Sequence, residues 1–151
     1  MIPEGLKIVE AIRPQAGAAI EGDYINLKNV EMAWIVIQQT GGAAVGMGCI
    51  VNQATADLAA LTPIVNVVPI WANLDTATSD TLVRVTVDAV NYTTDVGLTH
   101  KIVVFQIDPA KLSAGYSWLQ LHTNVSDALN ITSAVYVLKM KYKSTTPPSV
   151  V

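Results

Sequence analysis

Apolar and polar residues alternate along most of this chain, and a period of two predicts β-strands. The pattern is clearest in the stretch 101–123, where an apolar run over 102–107 stops at Asp108-Pro109 and an alternating run covers 116–123. Proline ends the first run because it has no N–H to donate to a sheet. In the second run, four aromatic and polar side chains share one face: Tyr116, Trp118, Gln120 and His122. We therefore expect a buried strand followed by a strand with one mixed face.

Further strand patterns lie on both sides of this stretch, at 24–27, 32–40, 45–52, 64–68, 81–88, 91–99 and 131–143. Residues 53–62, QATADLAALT, predict one short connecting helix, and Gly41-Gly42 predicts a turn at positive φ. The tally of about eight or nine strands at regular spacing predicts an all-β fold. Some strands are apolar on both faces and others on one, which favours a two-sheet antiparallel sandwich of jelly-roll type over a closed barrel.

The two ends of the chain are expected to be extended. Residues 1–22 predict an N-terminal arm, because five residues in them break regular structure: Pro3, Gly5, Pro14, Gly17 and Gly22. A β-sandwich domain is expected over 23–143 and a flexible C-terminal tail over 144–151. Apolar residues of the arm, among them Ile8, Val9, Ile12 and Ile20, are too apolar to be left in water. The candidate interface residues of the arm are its isoleucines: Ile2, Ile8, Ile12 and Ile20. An edge strand packed against its own domain is the alternative for this segment.

The composition indicates a surface that other protein covers. Hydrophobic residues make up 51% of the chain and charged residues 14%, against about 25% charged residues in an ordinary soluble domain. No window is long and apolar enough to span a bilayer, so we expect no membrane contact. We therefore expect the excess of apolar residues to be covered by copies of the chain or by a larger assembly. The net charge of −3 argues against a nucleic-acid partner.

The chain holds no recognisable catalytic, metal or cofactor motif. His100 and His122 are the available imidazole bases, and no nucleophile motif accompanies either of them. Cys49 is expected to be a small buried hydrophobe, and the glycine-rich segment 41–48 lacks the Lys-Ser/Thr of a phosphate-binding loop. A weak ion site in the loop 75–80 stays open as a minor alternative. We expect no enzyme activity and no cofactor.

The tryptophans Trp34, Trp71 and Trp118 have two interpretations. They could line a carbohydrate or peptide groove, or they could anchor the core or a subunit interface, which is the commoner role. Outside the arm, four residues are candidate interface residues: Trp71, Tyr116, Trp118 and His122.

Four blocks of this chain together resemble a known family: GDYINLKN at 22–29, VPIWANLDTATSDTLVR at 68–84, KIVVFQIDPAKL at 101–112 and ITSAVYVLKMKY at 131–142. They are similar to small virion head proteins of tailed bacteriophages and prophages, over most of the chain from residue 20 onward. The resemblance implies a capsid decoration, or cement, protein that binds the outside of the major capsid protein shell. Proteins of this type often assemble as trimers, so the resemblance also implies self-association.

The expected location is then the capsid exterior of a virion, after synthesis in the cytoplasm of the host bacterium, because the N-terminus lacks a secretion signal pattern. A tail or head-to-tail connector component is the alternative of the same class. A carbohydrate-binding module of a virion fibre, using Trp71 and Trp118, is the alternative from a different class.

Overall fold

The structure is a computed structural model, and it describes residues 5–17, 19–124 and 126–142. In these residues the regular secondary structure is almost entirely β, with two antiparallel sheets packed as a jelly-roll-like sandwich. The all-β prediction is therefore confirmed. The strands are β1 Leu6–Ala16, β2 Ile20–Asn26, β3 Val30–Thr40, β4 Gly48–Ala54, β5 Thr62–Pro63, β6 Ile70–Asn73, β7 Val83–Arg84, β8 Asn91–Thr93, β9 His100–Ile107, β10 Trp118–Thr123 and β11 Ile131–Met140.

The first sheet has the order β1-β11-β3-β9-β6-β7, and the second has the order β2-β10-β4-β5, with β8 also paired to β4. Strands β1, β2 and β3 follow one another along the chain but alternate between the sheets, so each connection crosses one end of the sandwich. The pairs β3–β11 and β3–β9 stay in register over most of their lengths. These three strands form the regular centre of the first sheet.

The core lies between the sheets, and in the long strands β3, β9 and β11 it is built by every second residue. In β9, Val103, Phe105 and Ile107 point inward and are fully buried. The same alternation in β3 buries Ile35 and Ile37, while the outer face of that strand is only partly covered. This arrangement explains why a run that is apolar on both faces belongs in the middle of the larger sheet.

The predicted connecting helix over 53–62 is wrong. Residues 48–54 form β4, residues 62 and 63 form β5, and a turn joins the two strands. Gln53 is fixed in the sheet by its amide, which donates to Ser113 Oγ at 2.9 Å and accepts from Ser113 N at 2.8 Å. Leu58 has a φ of 54°, which is incompatible with a helix, and its side chain is exposed. Pairing with β10 therefore overrides a helical pattern that is too short to be stable alone. The only helical element of the described residues is a 3₁₀ turn at Pro109–Lys111.

Of the two alternatives for the N-terminal segment, the structure has the edge strand. β1 pairs with β11 from Leu6 opposite Lys139 to Ala16 opposite Ile131. The register shifts on both sides of Ile12, and the second shift accommodates Pro14 at a sheet edge, where proline is tolerated. Ile2 and the predicted tail 144–151 lie outside the described residues. Within the described part of the chain, the structure has no helix of the length and apolarity that crossing a membrane requires.

Candidate interaction surface

Four loops meet at one end of the sandwich, and we call this surface the loop end: residues 41–47, 74–82, 94–99 and 126–130. Their meeting follows from the strand register, since Thr40 pairs with both Ile131 and His100. The backbone N–H of Gly41 donates to Thr99 O at 3.0 Å, and that of Thr76 donates to His100 O at 3.0 Å. The loop end is thus one connected surface.

Asn130 ties two of these loops together through its side chain. Its Oδ1 accepts hydrogen bonds from Gly42 N at 2.9 Å and Ala43 N at 3.2 Å, and its Nδ2 donates to Val45 O at 3.2 Å. The contact between the loops is so close that a Cβ at Gly42 would collide with the carbonyl oxygen of Leu129. The predicted positive φ at Gly41-Gly42 is wrong, because neither residue has one. Glycine is needed at position 42 for this close approach.

Lys101 fixes a third loop from inside the sandwich. It is only 2% exposed, and its ammonium donates to Gly97 O and lies 3.3 Å from Asp95 Oδ1. Beside it, Thr94 Oγ1 donates to Gln39 Oε1 at 3.0 Å. Among the described residues Gln39 Nε2 has no partner. Sequence reasoning missed this polar layer, although Lys101 lies two residues before the buried Val103 and therefore on the same inward face of β9.

The outer side of the loop end is aliphatic and acidic. Large apolar side chains stand between 41% and 65% exposed at or next to the tips of the loops: Val45, Val96, Leu98, Leu129 and Ile131. The four loops contain Asp75, Asp80, Asp95 and Asp127 but no lysine or arginine. This end of the molecule therefore presents apolar side chains in a negative field.

The opposite end of the sandwich has a groove of about 350 Å³, which we call the lysine groove. It is lined by buried and partly buried apolar residues and by two lysines, among others: Leu27, Lys28, Val30, Leu112, Tyr116 and Lys141. Glu31 and Asp108 also line it, but Glu31 is paired with Lys139 at 2.8 Å and Asp108 accepts from Ala110 N at 2.9 Å. Neither Lys28 nor Lys141 is in an ion pair with another described residue.

The isoleucines predicted as arm residues do not share one surface. Ile8 is 50% exposed on β1. Ile12 and Ile20 are 3% and 7% exposed and pack into the core of their own chain, so as interface candidates they are corrected. The reason is the edge-strand pairing of β1, which turns Ile12 toward the second sheet.

The predicted aromatic and histidine candidates are also dispersed. Trp71 lies on β6 of the first sheet, with the Arg84 guanidinium 5.7 Å from its ring centre. Trp118 and His122 are partly exposed on β10 of the second sheet, and Tyr116 lines the lysine groove. Because Trp71 and Trp118 are in different sheets, they cannot line one groove.

The remaining chemistry-bearing residues are accounted for locally. Cys49 is fully buried, as predicted, and burial raises the pKa of its thiol to about 12. His100 Nδ1 is 3.1 Å from Thr40 Oγ1. In the part of the chain that the structure covers, no three histidine, cysteine or carboxylate residues are grouped as metal ligands would be.

No family model matches this chain, and no curated protein matches it either. The SPBc2 prophage-derived protein YomS is similar in structure, with a TM-score of 0.50 at 10% identity over 88% of this chain and 92% of that one. The carbohydrate-binding module TmCBM61, solved with β-1,4-galactotriose, has a TM-score of 0.37 at 10% identity over 91% and 84%. A putative sugar-binding protein from Bacteroides thetaiotaomicron has a TM-score of 0.35 at 7% identity over 92% and 84%. The last two similarities are too weak to bear on function. What the first one establishes is a β-sandwich fold shared with a prophage-derived protein.

Proposed function

We propose that this chain is a non-enzymatic structural protein of a bacteriophage virion, a decoration protein that binds the outer shell of the major capsid protein and stabilises it. The observation that carries the proposal is the amount of large aliphatic side chain exposed on a chain with only 14% charged residues. Such surface is costly to leave in water and is typical of proteins that are covered in an assembly. The sequence blocks that resemble virion head proteins support the same function.

The edge of the first sheet is the surface we assign to the shell. Within the described residues, β1 is the edge strand of the first sheet and β11 is its one neighbouring strand there. The pairing is regular from Leu6 to Glu10, and Ile8 projects from this half of the strand. An open strand edge can accept an extended segment of another protein through backbone hydrogen bonds, and a side chain such as Ile8 then adds an apolar contact.

The test is co-sedimentation of the purified protein with phage heads that lack a decoration protein. The wild-type chain should bind at many copies per head and raise the temperature at which the heads release their DNA. Ile8→Glu should weaken binding by about tenfold or more, because it places a charge in the apolar contact. The control is Val87→Glu, at an exposed valine far along the chain from β1.

Deleting the segment 1–22 is not a usable test of this contact. The deletion would remove β1 together with the core residues Ala11 and Ile12, and it would unfold the sandwich. Point substitution keeps the fold and changes the contact alone. Failure of the wild-type chain to bind heads would refute the proposed function, whereas equal binding of Ile8→Glu would refute only the assignment of the surface.

A tail or connector component is the second candidate, because the two ends of the sandwich differ in charge and could stack. Co-sedimentation with separated phage heads and phage tails distinguishes the two, since binding to tails and not to the head shell supports a connector and argues against decoration.

A further inference from the structure

We propose that copies of this chain associate head to tail, with the loop end of one copy docked in the lysine groove of the next. The two surfaces lie at opposite ends of the same sandwich, and each has what the other lacks. This inference goes beyond the proposed function and does not depend on shell binding. It can be tested on the purified protein alone.

Charge complementarity selects a second copy as the occupant. The loop end contributes four aspartates and no basic residue, and only Asp95 among them is paired with a lysine, the buried Lys101. At the lysine groove, Lys28 and Lys141 are in no ion pair with a described residue, and Glu31 is neutralised by Lys139, so Asp108 is the one carboxylate of the lining that opposes the two lysines and the charge there is positive on balance. Opposite fields of this kind steer two molecules into one orientation and disfavour contact between like ends.

The apolar parts of the two surfaces also fit in size and character. Leu98 and Leu129 are 64% and 65% exposed at the tips of their loops. The groove has a volume of about 350 Å³, which is more than one leucine side chain fills, and its floor includes Leu27, Val30 and Leu112. Docking would thus bury projecting leucines against an apolar floor, with the aspartates around them facing the lysines at the rim.

The loop end is held in its shape before any partner binds. Lys101 bonds the carbonyl of Gly97 next to Leu98, and Asp127 Oδ1 accepts from Leu129 N at 2.8 Å. Asn130 holds the neighbouring loop 41–47 through three hydrogen bonds. Because these loops are already ordered, little conformational entropy is lost when they dock.

The contact is heterologous, since two different surfaces of the chain meet. Repetition of such a contact produces a closed ring if the rotation between copies closes, and an open stack if it does not. A two-fold dimer through either surface alone would bring aspartates against aspartates or lysines against lysines.

The experiment uses two variants that each destroy one half of the contact. Leu98→Ser with Leu129→Ser alters the loop end and keeps the groove, whereas Lys28→Glu with Lys141→Glu alters the groove and keeps the loop end. All four side chains lie on the exposed surface, so the fold should be retained. The control, Val87→Ser, alters an exposed valine that lies in neither the loop end nor the lysine groove.

Sedimentation velocity over a concentration series, at low and high salt, measures the association. The wild-type chain and the control should form oligomers that weaken as salt rises, because salt screens the charged rim. Each variant alone should associate about tenfold or more weakly. A mixture of the two variants should form a complex of one copy of each that grows no further, because one intact loop end and one intact groove are left.

Three results would overturn the inference. The wild-type chain could stay monomeric up to the highest concentration reached. The groove variant could self-associate as strongly as the wild-type chain, which would mean that the lysine groove is not involved. The mixture could sediment as two separate monomers, which would mean that the two surfaces do not meet each other.

Discussion

Removing the hydroxyl of Tyr136 should destabilise the fold, because this hydroxyl satisfies an irregularity in the second sheet. Tyr136 is fully buried on β11, and burial raises the pKa of its hydroxyl. The hydroxyl donates to Asp23 O at 2.9 Å and accepts from Leu121 N at 2.8 Å, both in the opposite sheet. At this point the pairing of β10 with β2 shifts, since Gln120 faces Tyr24 but His122 faces Glu21. The shift leaves Leu121 N without a partner on β2, and Tyr136 supplies one.

The size of the effect follows from the groups that lose their partner. In Tyr136→Phe, a buried N–H is left unsatisfied, at a cost of about 1–3 kcal/mol, and one further hydrogen bond of about 1 kcal/mol is lost. The total of about 2–4 kcal/mol is a large part of the roughly 5–15 kcal/mol that stabilises a domain. For a chain of this length the melting temperature should fall by about 4–16 °C.

Urea unfolding followed by tryptophan fluorescence measures this loss. The midpoint should fall without a change in the denaturant slope, because the fold and the area exposed on unfolding are unchanged. Tyr142→Phe is the control, since Tyr142 is 72% exposed, and it should change the free energy of unfolding by less than about 0.5 kcal/mol. A loss below about 1 kcal/mol in Tyr136→Phe would refute the claim that this hydroxyl satisfies the irregular pairing.

Three further predictions concern the candidate surface and the core. Asp95→Asn should destabilise the fold more than Lys101→Met does. The first substitution leaves the Lys101 ammonium buried without its counter-ion, whereas the second leaves the half-exposed Asp95 carboxylate, which water can solvate. Thermal unfolding measures both variants, and a lower melting temperature for Lys101→Met would contradict this. Trp118→Ala should lower the free energy of unfolding, measured by denaturant titration, by about 2 kcal/mol. This is less than the roughly 3–5 kcal/mol expected for a fully buried tryptophan, because the indole of Trp118 is partly exposed. If the variant also assembles more weakly, Trp118 is an interface residue as well. Cys49 should resist a thiol reagent at mildly alkaline pH in the native state and react once urea unfolds the chain, since its pKa is raised to about 12 and its thiol is buried; rapid labelling of the native protein would refute its burial.

The strands of the first sheet's centre could be predicted from the sequence because alternation and burial coincide there. The apolar run 102–107 is β9, and the long final pattern that starts at Ile131 is β11. The pattern at 81–88 alternates equally well, yet only Val83–Arg84 pair as β7, and most of that segment is exposed. Alternation alone does not tell a short sheet edge from a central strand, because it contains no information about which strand lies next to it.

The loop end could not be predicted, because it joins segments far apart along the chain. Gly42 and Asn130, which hold two of its loops together, are 88 residues apart. The dispersal of Trp71 and Trp118 onto different sheets likewise follows from strand order, which the sequence pattern leaves open. Lys101 did leave a signal, since a lysine at an inward position of an otherwise apolar strand must find a partner inside the fold.

At the loop end the usual arrangement of side chains is reversed, with Lys101 and Gln39 inside and Leu98 and Leu129 outside. The buried polar side chains fix the loops, and the exposed leucines are favourable only when a partner covers them. Complete burial of the two exposed leucines would contribute on the order of 1–2 kcal/mol each. Association costs roughly 4–15 kcal/mol, so the two leucines alone do not hold two copies together. In the head-to-tail contact the remaining free energy comes from the other exposed apolar side chains of the loop end and from the aspartates that face Lys28 and Lys141 at the rim of the lysine groove. The loop end is therefore suited to a surface that combines an apolar floor with positive charge, and the lysine groove has both.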